Sequence, residues 1–132
     1  MKLLMSLLLS IFLLGSIEVW GADWKLYAET DLGDYYYDAA GLMRAKKVVR
    51  VWTRLFHSEE GKIQSMKVLG VKLGVSAALQ EINCVTKKSR LLKITHYDNN
   101  SITIGSESRK EPQWDYIIPE SIAEYLYEAV CK

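Results

Sequence analysis

Two cysteines, Cys84 in the middle of the chain and Cys131 next to its end, constrain the fold more than any other feature, because of what precedes them. Lys2 leads into an unbroken apolar run from Leu3 to Leu14, which has the length of a secretory hydrophobic segment. A membrane-spanning helix needs about 20 apolar residues, and here Gly15, Ser16 and Glu18 interrupt the run before that length. A retained N-terminal anchor is the competing reading. Val19 and Gly21 supply the small residues wanted before a cleaved bond, so residues 1–21 are expected to be a signal peptide and 22–132 the mature domain. Cleavage after Ala22 is a poorer alternative because Trp20 is bulky. Outside the cytosol, an even pair of cysteines reads as one intramolecular bond, Cys84 to Cys131, with two buried free thiols or an intermolecular link as alternatives. Closing a loop of that length removes roughly 4 kcal/mol of denatured-state freedom in the chain-entropy description. No cysteine lies near the expected cleavage site, so the acceptor for a lipid anchor is missing and no stable membrane anchor is expected after cleavage. The expected location is the periplasm, the cell surface or the medium.

The mature part can hold one core but not two. Its 49% hydrophobic and 25% charged composition, taken over the whole chain, is that of a globular domain rather than a disordered tail. Seventeen Lys and Arg against sixteen Asp and Glu give a formal charge of +1. The leader removes one of each sign, so no field exists to gather nucleic acid by charge.

Trp24 to Thr30 alternates, with Trp24, Leu26 and Ala28 on one side, and reads as a first strand. Asp31, Gly33 and Asp34 provide turn chemistry before the aromatic run Tyr35, Tyr36, Tyr37, which completes a hairpin. Val48 to Phe56 is the clearest strand: Val49, Val51 and Leu55 share one face, and Arg50, Trp52 and Arg54 the other. From Ser58 to Leu73 the apolar spacing turns helical, with Ser58 as cap, Gly70 weakening the last part and Gly74 as the stop. This helix is expected to pack at an edge of the sheet. Strand character returns at Ala77 to Val85, with Ile82 and Cys84 facing the core, and again at Arg90 to Tyr97. Asp98, Asn99 and Asn100 turn the chain into a short strand at Ile102 to Ile104, and Ser106 to Pro112 reads as a loop. Ser121 followed by Glu124 is a capping box that opens a terminal helix with Ile122, Leu126, Ala129 and Val130 as its stripe. Cys131 lies about 180° from Ile122 on an ideal helix. Either the last turn loosens, which is favoured, or Tyr127 and Cys131 form a second buried edge.

Catalysis needs converging polar groups, and His57 and His96 lie near no motif of that kind, so both read as strand or strand-end residues. No metal-ligand or phosphate-loop spacing is present, and neither a cofactor nor a catalytic or metal residue is expected. Asn99, Asn100 and Ser101 match a glycosylation sequon, which turn formation already explains. The candidate binding residues are aromatic and basic. Tyr35 and Tyr37 share a strand face and suit recognition, though tyrosine is also an ordinary strand residue. Arg50, Trp52 and Arg54 can offer a basic aromatic surface, or simply a structural stack of guanidinium on indole.

Four strings carry a family resemblance: DLGDYYYDAA from Asp31 to Ala40, VVRVWTR from Val48 to Arg54, Glu81 to Asp98, and the C-terminal WDYIIPESIAEYLYEAVCK. Through them the chain resembles the surface-adhesin protein E-like family of small exported bacterial proteins, over most of the mature part. The resemblance implies an antiparallel sheet carrying a disulfide-tethered helix, with Cys84 and Cys131 matching the family pair. It also implies a non-catalytic binding module, a host matrix or serum protein as partner, and a possible homodimer. The expected fold is therefore α+β: a mainly antiparallel sheet of about six strands, a C-terminal helix tethered on one face by the disulfide, and one further short helix. A periplasmic structural or assembly factor working through a free sheet edge is the alternative function.

Overall fold

A computed structural model describes residues 22–132, so the expected signal peptide lies outside the described residues. The chain runs β1 (Trp24–Thr30), β2 (Gly33–Asp38), β3 (Met43–Ala45), β4 (Val48–His57), α1 (Glu59–Leu69), β5 (Leu73–Asn83), β6 (Lys88–Asp98), β7 (Thr103–Ser108), β8 (Asp115–Tyr116) and α2 (Ile122–Cys131). One antiparallel sheet of eight strands results, in the order β1-β2-β4-β5-β6-β7, with β3 added to β4 and β8 to β6. Long β4, β5 and β6 form its centre, and each connection is a hairpin or a short excursion, as antiparallel pairing permits.

Both helices lie on the same face. α2 buries Leu126 and Val130 against Val49, Val51, Ile82 and Ile117, and full burial of an aliphatic side chain contributes about 1.5–3 kcal/mol. The helix starts where the capping box placed it: Ser121 Oγ accepts the Glu124 N–H, and the Glu124 carboxylate accepts the Glu120 N–H. Lys87, on the turn after β5, reaches the other Glu124 oxygen at 2.9 Å. The disulfide Cys84–Cys131 joins that turn to the last residue of α2. The last turn does not loosen. α2 stays helical through Cys131, and Tyr127 and Cys131 form a second half-buried edge, with the Tyr127 hydroxyl donating to the Cys84 carbonyl.

Other expectations need correction. Cys84 sits just past β5 in the turn, and β5 begins at Leu73. α1 ends at Gly70, whose left-handed φ of 75° supplies the stop expected at Gly74. It packs over β4 and β5 on the α2 side, not at a sheet edge. Its apolar spacing misleads, because Ile63, Met66, Val68 and Leu69 are exposed while Gly61 and Ser65 make the contact. Gly61 rests on the Leu32 carbonyl, where any side chain would collide. Ser65 Oγ accepts the Leu73 N–H at 2.9 Å. The stretch read as a loop from Ser106 includes the end of β7, a strand too exposed to show an apolar period. In β1 the alternation breaks at a bulge at Tyr27, so Ala28 faces the helices while Trp24 and Leu26 face away.

Candidate binding surface

The sheet face opposite the helices carries neither helix, although Trp114, from the segment before β8, lies against it, and its side chains follow from strand register. Arg50, Glu81 and Arg90 stand in one row across β4, β5 and β6. Glu81 is buried between the two guanidiniums: Arg50 Nε and an Nη donate to one carboxylate oxygen at 3.2 Å, and Arg90 Nε donates to the other at 2.8 Å. Arg90 also lies over the Trp114 ring at 4.3 Å. The next row holds Trp52, Leu79 and Lys93. In the third, Tyr36 pairs with Arg54, and Arg54 lies over the Trp24 ring at 4.2 Å. Phe56 meets Tyr36 edge-on with centroids 5.4 Å apart, yet it remains 43% exposed. Guanidinium–indole stacks therefore bracket an apolar centre. Arg50, Arg54, Arg90 and Lys93 give that centre a basic character, and Glu29 and Asp34 stand at its β1/β2 corner.

The sequence candidates are divided by this sheet. Arg50, Trp52 and Arg54 share the open face as their alternation requires. They do not stack on each other: Arg54 takes Trp24 and Arg50 takes Glu81. Tyr35 and Tyr37 are on the helix side, half-buried, where Tyr27 packs between them at centroid distances of 5.9 and 6.1 Å. The open-face aromatics that sequence reasoning missed include Trp24, Tyr36, Phe56, Tyr97 and Trp114. Tyr36 and Phe56 were available from alternation alone, but Trp24 and Trp114 come from strands or loops whose register no local pattern fixes.

On the helix side, the two histidines converge on one hydroxyl. Ser76 Oγ is 3.0 Å from His57 Nε2 and 2.7 Å from His96 Nδ1. Burial holds the His57 pKa below its ordinary value, helped by the His96 ring and by Lys62. Burial pushes the Tyr27 and Tyr35 hydroxyls up, and Tyr27 lies beside Thr53. Among the described residues no group of three His, Cys, Asp or Glu is disposed to hold a metal, and no helix is long and apolar enough to cross a membrane. Asp98 Oδ1 accepts the Asn100 and Ile102 N–H groups, so the sequon triplet forms a stapled turn.

A family model described as Surface-adhesin protein E matches residues 24–132. Among solved structures, the chain is similar to Haemophilus influenzae protein E, with a TM-score of 0.55, 11% identity, and coverage of 82% of this chain and 83% of that one. The selenomethionine form of the same protein gives a TM-score of 0.51 at 11% identity, covering 84% and 92% respectively. At this identity the likeness is one of fold. No curated protein sequence matches the chain significantly.

Proposed function

This chain belongs to the surface-adhesin protein E family, and from that premise we propose that it is an exported, non-catalytic module that binds protein partners through the open face of its sheet. The single observation carrying this reading is the basic aromatic face that neither helix covers, with Trp52 at its centre and guanidinium–indole stacks at both ends. Aromatic and arginine side chains supply most of the binding energy at protein interfaces. A sheet face that leaves Leu26 and Phe56 exposed beside a half-buried Trp52 calls for a reason beyond stability. The cations favour a partner with an acidic surface, which they would steer at low ionic strength. A host matrix or serum protein fits both the family and the exported location. The signal peptide at residues 1–21 belongs to the same proposal.

Retention of the oxidised mature protein on immobilised matrix and serum proteins tests the idea, with Trp52→Asp and Arg54→Glu as surface variants. Wild-type retention that both variants abolish is expected. Equal retention of wild type and variants would remove the open face from the account. A second reading, a periplasmic assembly factor, has its own support in β7, an exposed edge strand that among the described residues is paired on its β6 side only. Such an edge accepts a further strand from a partner. Recovery of crosslinks only to proteins of the producing cell's own envelope would favour it.

A further inference from the structure

Short side chains in the middle of the sheet leave a cleft on its open face. There β5 contributes Val75 and Ala77, between Arg54 and Phe56 of β4 and Tyr97 of β6. Ser101, in the stapled turn after β6, closes one end, and the space measures about 310 Å³. Aromatic rings therefore stand on both sides of a floor made of alanine and valine. Such a recess admits one large apolar side chain, and a few anchors of this kind carry most of the energy at protein interfaces.

The charge around the cleft is of one sign. Arg54 lines it, and Lys93 stands one row away on β6. Neither forms an ion pair among the described residues. The Arg54 guanidinium lies on the Trp24 ring, a stack that occupies one face and leaves in-plane N–H groups for a carboxylate. From the Trp52 row to the Phe56 row, no open-face position of β4, β5, β6 or β7 is acidic; β7 contributes Thr103, Ser106 and Ser108. Asp34 lies beyond Phe56 on β2, and the Asp98 carboxylate is held by N–H groups of its own turn.

We propose that this cleft is the anchor site of the open face, and that its occupant is an aromatic side chain of the partner flanked in the partner's chain by acidic residues. The proposal rests on the open face being the binding surface and adds which segment that surface takes. The walls select a ring, because a ring above Ala77 meets Phe56 and Tyr97 in the edge and offset contacts that aromatic pairs prefer. The unpaired cations select the flanking acids, since a basic segment would meet Arg54 and Lys93 as like charges.

The test is titration of the oxidised mature protein with the capped peptide Asp-Glu-Phe-Glu-Asp, followed by calorimetry and amide chemical shifts. Saturable one-to-one binding that weakens with added salt is expected, with shifts centred on Phe56, Ala77 and Tyr97. Leucine in place of the peptide's phenylalanine should weaken binding severalfold, and lysine in place of its acids at least tenfold. Ala77→Leu fills the floor and should weaken binding at least tenfold. Arg54→Gln should flatten the salt dependence and serves if the first variant does not fold. Absence of saturable binding, equal binding of the acidic and basic peptides or of the phenylalanine and leucine peptides, or undiminished binding by folded Ala77→Leu would each overturn the proposal. Its failure is separable from that of the open face: retention on matrix and serum proteins that Trp52→Asp abolishes and Ala77→Leu leaves intact overturns the cleft alone. Retention that neither variant changes removes the face and the cleft together.

Discussion

Replacing both cysteines by serine tests the tether between α2 and the sheet. Double replacement leaves no lone thiol to mispair. The bond closes 47 residues of sequence, for which the chain-entropy relation gives roughly 4 kcal/mol. Three strands, β6, β7 and β8, lie inside that loop together with most of α2, so the reduced chain must order them without a covalent limit on its freedom. The native contacts survive the change: Leu126 and Val130 stay buried, and Lys87 still reaches Glu124. The domain should therefore fold with lower stability, not lose its structure. Equilibrium guanidinium unfolding of wild type and double variant, followed by tryptophan fluorescence and far-ultraviolet circular dichroism, reads the difference directly. A loss of about 3–4 kcal/mol is expected, within the usual range for a native disulfide. A loss below about 1 kcal/mol would refute the reasoning, since the reduced chain would then restrict its own loop as well as the bond does.

Glu81→Ala strips the shared partner from Arg50 and Arg90, whose side chains are 44% and 28% exposed. Because water reaches both, the cost should be on the order of 1–2 kcal/mol in chemical denaturation. Gly61→Ala drives a methyl group into the Leu32 carbonyl and should cost about 1–3 kcal/mol as α1 is pushed away, visible as faster amide exchange in α1. The folded state lowers the His57 pKa, so between that value and the ordinary histidine value near 6.5 the unfolded chain binds more protons. Stability is then full above about pH 6.5 and falls as the solution is acidified through the histidine range. His57→Gln should flatten that part of the melting-temperature profile.

Much of the architecture was legible because local chemistry and tertiary packing agree. Val48 to Phe56 alternates cleanly because β4 is flanked on both edges and covered on one face only. Ser121 and Glu124 announced α2 because the capping atoms are close in sequence. The readings that failed did so where a tertiary contact overrides periodicity. α1 packs through Gly61 and Ser65, which carry no hydrophobic signal, so its exposed Ile63 and Met66 suggested the wrong face. The bulge at Tyr27 reassigns Ala28 to the other side of the sheet, and nothing in the string WKLYAET marks it. For the same reason the candidate surface was half legible. Arg50, Trp52 and Arg54 belong together by alternation within one strand, whereas placing Tyr35 and Tyr37 behind the sheet required knowing which face the helices take. The meeting of His57, Ser76 and His96 depends on the register of β4, β5 and β6 at once, which no local pattern encodes.

The central claim is that the open sheet face does the binding, and site-specific photocrosslinking tests it most directly. A photoreactive amino acid is placed either at position 52, on the open face, or at position 125, where Tyr125 is 52% exposed on α2, and the protein is irradiated among matrix and serum proteins. Protein adducts from position 52 that are absent from position 125 are predicted. Adducts from position 125 alone would contradict the account and move the working surface to the helical side.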